Sequence, residues 1–94
     1  MSSLTVESTA GTTAGATKIT VSPEKAEENS YKYKVAANPT MPEGGQVCTT
    51  GYTAWNGTDE ITAATGQKIV VVEVDDQNRC IAAGIATVTA NEGA

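Results

Sequence analysis

The segment at residues 68–89 (KIVVVEVDDQNRCIAAGIATVT) constrains the fold most, because two apolar runs in it flank a polar stretch. The first run ends at Val74, the polar stretch is DDQNR, and the second run begins at Cys80. Asp and Asn favour turns, whereas β-branched side chains pack well in strands. The segment therefore predicts a β-hairpin that serves as the scaffold of the protein.

The first strand of this hairpin is apolar on both faces over much of its length. Val70, Val72 and Val74 share one face, and Ile69 and Val71 lie on the other. A strand of this kind is covered on its second face as well. We expect Ile69 and Val71 to form this additional apolar face, against a loop or a neighbouring molecule.

The second strand of the hairpin changes its apolar face near Gly84. Ile81 and Ile85 alternate on one face, and Val88 follows on the other. A glycine at such a position predicts either a β-bulge or the close approach of another backbone.

Period-two alternation recurs along the rest of the chain. The further candidate strands are at residues 4–7, 18–21, 31–35, 52–55 and 59–62. About seven short strands with a turn signal every ten residues or so predict an all-β fold, a small antiparallel β-sandwich of Ig-like type. We expect one domain over residues 1–94, with a structured core at 4–90, and a hairpin turn at Asn56-Gly57 between two of the strands.

Composition and charge exclude several classes of partner. The net charge of −5 makes nucleic acid an improbable ligand, because phosphate repels an acidic chain. No basic amphipathic stretch is present for a membrane surface, and the apolar run at residues 69–72 is too short to span a bilayer. The first residues lack the features of a secretory signal, so we expect a chain kept in a cytosol or excised from a larger protein.

The sequence offers no constellation for catalysis or metal binding. It contains no His to activate a hydroxyl or a thiol. Glu73, Asp75 and Asp76 are close together, but their spacing does not match a calcium loop, and a solvated turn explains them better. Cys48 and Cys80 match no zinc motif, and a reducing compartment favours free thiols over a disulfide. We therefore expect a protein that is not an enzyme, with no catalytic, cofactor or metal residues.

The longest irregular stretch, at residues 38–50, is the candidate for binding a protein partner. It contains Asn38, Pro39, Met41, Pro42 and Val47. Long loops in small domains commonly carry function. An alternative site consists of Tyr52 and Trp55, which could form a platform for stacking on sugars. The competing interpretation is that these aromatic side chains fill the core, since the sequence has no Phe and a single Trp.

Four segments together resemble a group of small β-sandwich proteins of phages and prophages of Gram-positive, largely clostridial, bacteria. The segments are LTVESTAGTTAGATKITVSP, NSYKYKVA, YTAWNGTDEITAATGQKIVVVEVDDQNR and AGIATVTA. Stand-alone members of that group resemble decoration proteins of the phage head.

This resemblance implies a non-enzymatic structural protein on the capsid surface of a virion, assembled in the host cytoplasm. Its expected partner is the major capsid protein, with self-association left open and with neither nucleic acid nor membrane involved. The alternative is an Ig-like module that binds carbohydrate or a host surface, on a tail or cell-surface protein. Cys48 and Cys80 are not part of the resemblance.

Overall fold

The computed structural model describes residues 2–22, 28–39, 42–48, 51–56 and 60–91, without the side chains of 2 and 3. Regular structure in these ranges is β-strand throughout, and none of it is an apolar helix of membrane-crossing length. The strands are β1 (Ser2–Ser3), β2 (Thr5–Ala10), β3 (Ala16–Ser22), β4 (Ser30–Ala36), β5 (Thr53–Trp55), β6 (Ile61–Thr62), β7 (Lys68–Val74) and β8 (Cys80–Thr87). The predicted all-β fold is confirmed.

The strands form two sheets that face each other. One sheet has five strands in the order β1-β8-β7-β4-β5, and the other has three in the order β2-β3-β6. All pairs are antiparallel except the two-residue pairing of β1 with β8. Side chains from both sheets, such as Ile19 and Ile61 on one and Ile69 and Val71 on the other, share one apolar cluster. The predicted sandwich is therefore present.

The predicted hairpin lies at the centre of the five-stranded sheet. β7 pairs with β8 on one side and with β4 on the other along its whole length. One register shift, between Glu73 and Val74, places Val74 opposite Cys80. β7 is thus held by neighbours on both edges, which is consistent with its role as scaffold.

The two apolar faces of β7 have the opposite roles from those predicted. Ile69 and Val71 lie opposite Val35 and Tyr33 of β4 and point into the core between the sheets. Val70, Val72 and Val74 point to the outer side of the five-stranded sheet and belong to a second buried cluster. Both faces are apolar in the sequence, so the local pattern alone did not show which face points into the core. The pairing of β7 with the aromatic face of β4 shows it.

Gly84 lies where two backbones approach closely, as predicted. A Cβ atom at this position would be 2.3 Å from the Leu4 carbonyl oxygen and 2.7 Å from Val6 Cγ2. Ala83 and Ile85 lie on the outer side of the sheet and Ala86 and Val88 contact the inter-sheet core, as predicted. Ala82 also contacts that core, so the inner face is apolar before Gly84 as well. The irregularity of the hairpin lies instead at the shift beside Val74.

The predicted hairpin between the strands that flank Asn56-Gly57 is wrong. β5 pairs with β4 in the five-stranded sheet, and β6 pairs with β3 in the other. The intervening connection therefore passes from one sheet to the other. Residues 57–59 lie outside the described residues.

Candidate functional site

The outer face of the five-stranded sheet is covered by the chain itself. Val70, Val72 and Val74 are completely buried there, although the three-stranded sheet packs on the opposite face. Residues 42–48, called here the covering segment, contribute Cys48 to the same cluster, and Tyr52 packs at its margin. The members of this outer cluster are Cys48, Val70, Val72, Val74, Cys80 and Ala83. β7 is apolar on both faces because both are buried.

Backbone hydrogen bonds attach the covering segment to the end of the β7–β8 hairpin. The Gly45 N–H donates to the Cys80 carbonyl, and the Cys80 N–H donates to the Gln46 carbonyl, both at 2.8 Å. The Cys48 N–H donates to the Asn78 carbonyl at 2.8 Å, and Val47 forms an antiparallel bridge with Arg79. The segment therefore behaves as a short additional strand.

The residues predicted to bind a partner are placed very differently from one another. Asn38 is exposed, Pro39 is half-buried, and Pro42 is buried. Val47 is 55% exposed, and Met41 lies outside the described residues. Most described residues of this stretch are thus exposed, with Pro42 and Cys48 buried, and partner binding through it stays a prediction.

A strip of exposed apolar side chains runs beside the covering segment. Val47, Ile81 and Ile85, called here the apolar strip, are 55%, 38% and 41% exposed. Val47 is bridged to Arg79, two residues before Ile81, and Ile85 lies opposite Val70 on the outer side of the sheet. The alternation at Ile81 and Ile85 was visible in the sequence, but it did not show that this part of the outer face is left exposed.

Cys48 and Cys80 meet in the outer cluster as free thiols. Their Sγ atoms donate to the carbonyls of Gln46 at 3.6 Å and Ala82 at 3.4 Å. Burial raises the pKa of Cys48, and burial together with the neighbouring Cys48 raises the pKa of Cys80 to about 11. Both thiols are therefore protonated at neutral pH, which makes them poor nucleophiles.

Tyr52 and Trp55 do not lie side by side. Trp55 is 9% exposed and packs in the inter-sheet core, with its ring 5.7 Å from that of Tyr31 and 6.5 Å from that of Tyr33. Tyr52 packs on the outer cluster, with Lys34 Nζ 5.8 Å from its ring centre. A sugar platform made by the two together stays a prediction that this placement disfavours.

A shallow groove opens beside Trp55 at the edge of the sandwich. Tyr31, Tyr33, Asn56 and Glu60 also line it. The Glu60 carboxylate accepts hydrogen bonds from the Thr12 N–H at 2.7 Å and the Thr12 hydroxyl at 2.8 Å. These hydrogen bonds lower the pKa of Glu60 and tie its carboxylate to a neighbouring loop.

The three clustered carboxylates have separate surroundings. Glu73 is buried on the inner face and accepts a 2.7 Å hydrogen bond from Asn29 Nδ2. Asp75 accepts the backbone N–H groups of Gln77 and Arg79 at 2.9 Å each, and Asp76 is exposed. Asp75 therefore closes the hairpin turn, as predicted. In the described ranges no three potential metal ligands come together.

Comparison with known proteins finds matches to surface-layer proteins. The sequence model described as "S-layer protein SbsC C-terminal domain" matches residues 9–91. A crystal structure of domains 7, 8 and 9 of the S-layer protein SbsC is 28% identical, with a TM-score of 0.74 over 88% of this chain and 26% of that one. A structure of SbsC domains 4–9 has the same identity and TM-score over 89% of this chain and 14% of that one. No curated protein matches.

These matches correct the identity inferred from the sequence. The resemblance to phage head decoration proteins is wrong, and with it the capsid function, the major capsid protein as partner and the location on a virion. The quoted segments consist mostly of β-strands and the turns between them. Alternating Thr and Val in strands and Gly in turns suit many small sandwiches, so such segments carry more information on fold than on role.

Proposed function

Because the chain belongs to the family described as the S-layer protein SbsC C-terminal domain, we propose that it is a non-enzymatic structural domain of a cell-surface layer. The observation that carries the proposal is the family match over residues 9–91. The 28% identity to SbsC domains, with a TM-score of 0.74, supports it. The chain spans only 26% and 14% of the two similar structures, so it corresponds to one unit of a multidomain arrangement.

The side chains of the described residues fit a structural role. The sequence has no His, and the two thiols that meet are buried and have raised pKa values. The central strand β7 is buried on both faces and paired on both edges. Such a strand gives a rigid module, which suits repeated use in a layer.

The apolar strip is the proposed contact with a neighbouring domain of the same layer. Its three residues are exposed aliphatic side chains of the covering segment and of β8, and apolar patches on soluble domains commonly mark protein contacts. The similar structures contain successive domains in one chain, which makes a neighbouring domain the natural occupant. Val47, from the stretch predicted to bind a partner, belongs to this proposed contact.

The location is tested by immunogold labelling of intact source cells with an antibody against the purified chain. We expect labelling of the outer surface and recovery of the protein in the extracted surface layer. Labelling confined to the cytoplasm, in permeabilised cells only, would contradict the proposal.

The contact is tested in the same cells with Ile85→Ser in the protein that carries this domain. We expect disordered or shed layers for this variant, because a polar side chain removes apolar contact area from the neighbour. Thr62→Ser, an exposed position in the other sheet, is the matched control. An intact layer with Ile85→Ser would exclude the strip as a contact.

Glycan binding at the groove beside Trp55 is a second candidate. The observation that favours it is the presence of three aromatic residues, Tyr31, Tyr33 and Trp55, at one groove, because aromatic faces have an apolar surface and a polar edge. Titration with cell-wall oligosaccharides should change the fluorescence of Trp55, the single Trp of the chain, and Tyr33→Ala should weaken the binding. An unchanged spectrum at millimolar oligosaccharide would remove this candidate.

A further inference from the structure

The two cysteines lie on facing segments that are held in register by the backbone. Cys48 is one residue after Val47, and Cys80 is one residue after Arg79, the pair that forms the antiparallel bridge. The N–H groups of both cysteines donate across this junction, to Asn78 and Gln46. The two side chains are therefore diagonal neighbours on one face of the pair.

Both cysteine side chains point into the outer cluster and are buried there. Cys48 is 0% exposed and Cys80 is 1% exposed, and both belong to the outer cluster with Val74. The bridged residues between them point the other way, since Val47 and Arg79 are exposed. Because both thiols are buried in the same cluster, the two segments that carry them already face each other, and a bond between the sulfurs keeps the existing strand pairing.

We propose that Cys48 and Cys80 form a disulfide when the protein is exposed to an oxidising exterior, and that this bond fastens the covering segment to the β7–β8 hairpin. The oxidising environment rests on the proposed function at the cell surface, where disulfides persist. The ability of the two thiols to react with each other does not depend on that location. The bond would hold Cys48 over Val72 and Val74. The outer cluster is thereby protected from local opening.

The oxidant is a low-molecular-weight disulfide such as glutathione disulfide. One cysteine, as its thiolate, attacks a glutathione sulfur, forms a mixed disulfide and releases one glutathione thiolate. The thiolate of the other cysteine then attacks the protein sulfur of that mixed disulfide and releases the second glutathione. The two protein thiols lose two protons and two electrons in total, and one glutathione disulfide is reduced to two glutathione molecules.

The closed bond constrains the unfolded chain and leaves the fold as it is. Joining Cys48 to Cys80 closes a long loop that contains β5, β6 and β7. Loops of this length restrict the unfolded ensemble considerably. We expect the urea midpoint of the oxidised protein to exceed that of the reduced protein by about 1–3 M.

The test uses the full chain, reduced and then incubated with glutathione disulfide in mild urea so that the covering segment opens. Thiol titration and peptide mapping should show loss of both thiols and a Cys48–Cys80 cross-link within one chain. The urea midpoint should rise and return on reduction, a comparison that needs no substitution. Cys80→Ser should instead keep a glutathione adduct on Cys48.

Two results would overturn the proposal. One is the recovery of both thiols, or of glutathione adducts and intermolecular dimers alone, from the wild-type chain. The other is an oxidised protein with an unchanged or lower midpoint. Alkylation of thiols in intact cells before lysis tests the cell-surface location separately. A chain found inside the cell with free thiols would contradict the proposed function. The result on the purified protein would be unaffected.

Discussion

Gly84 is a residue whose role depends on a distance between two backbones. Its Cα faces the carbonyl of Leu4, where the chain passes from β1 to β2. Leu4 in turn donates its N–H to the Ala83 carbonyl at 2.9 Å, which fixes this approach. No side chain fits at Gly84 unless the first strands move away from β8.

We predict that Gly84→Ala lowers the free energy of unfolding by about 1–3 kcal/mol, because the added methyl group overlaps backbone atoms that cannot rotate away. Urea denaturation followed by circular dichroism measures the change. Thr87→Ala, at an exposed position of the same strand, is the control and should change stability by no more than about 0.5 kcal/mol. A Gly84→Ala protein as stable as wild type would show that β1 and β2 do not pack as described.

At the scale of single elements, β7 shows how one strand serves two cores. Its odd-numbered side chains, Ile69 and Val71, fill the space between the sheets. Val70, Val72 and Val74 fill the space under the covering segment. A strand at the surface of a sandwich is usually polar on its outer face, so the apolar outer face of β7 requires a cover.

We predict that Val72→Ala costs about 2 kcal/mol, because it removes two buried methyl groups at about 0.8 kcal/mol each and leaves a partly unfilled space. Val71→Ala on the inner face should cost a similar amount in the same urea titration. Ile85→Ala, on the partly exposed part of the outer face, should cost less than either. A loss below about 0.5 kcal/mol for Val72→Ala would mean that the outer face is open to solvent.

The hairpin turn between β7 and β8 depends on the charge of Asp75. The backbone N–H of Arg79 is the largest cause that lowers the pKa of this carboxyl, and the Gln77 N–H and the Arg79 side chain, 3.0 Å away, act in the same direction. A carboxyl with a lowered pKa in the folded state stabilises the fold above its ordinary pKa of about 3.9. This contribution disappears as the pH falls through the lower pKa of the folded state.

We predict that Asp75→Asn is less stable than wild type at neutral pH and that the difference vanishes as the pH falls below the folded-state pKa of Asp75. Thermal unfolding at a series of pH values from neutral to strongly acidic measures this convergence. Asp76→Asn, at the exposed neighbouring position, removes the same charge from the turn and serves as the control. A difference that stays constant over the whole pH range would show that the Asp75 charge has no part in the turn.

At the scale of the whole molecule, the inter-sheet core connects the two ends of the described chain. It extends from Leu4 to Ala90 and takes side chains from both sheets. The last described residues are fastened by backbone bonds, with the Val88 N–H donating to Gln67 and the Asn91 N–H donating to Ala16. The parts of the chain therefore depend on one another for burial.

We predict a single cooperative unfolding transition for the two sheets, because the inter-sheet core takes side chains from both and neither sheet keeps that burial without the other. Trp55 fluorescence reports on the inter-sheet core, and far-ultraviolet circular dichroism reports on both sheets. The two signals should give the same urea midpoint for the reduced protein. Separate midpoints would indicate that the sandwich consists of two independently stable parts.

The candidate sites could be predicted only in part from the sequence. The turn role of Asp75 followed from residue types that favour turns within a few positions. The contact between Cys48 and Cys80 did not, because the bridge of Val47 to Arg79 that brings them together joins distant parts of the chain. The apolar strip was also missed, since exposure of Ile81 and Ile85 depends on where the covering segment ends.

The sequence by itself determined the positions of the strands and the central hairpin, because alternation and turn residues act over a few neighbouring positions. Tertiary structure decided which face of β7 points inward, which sheet receives β5 and β6, and how the outer face is covered. Each of these depends on pairing between residues far apart in the chain, such as Tyr33 with Val71. A strand with two apolar faces can point either face into the core as far as its own sequence is concerned. Contacts with residues distant in the chain decide which face it is.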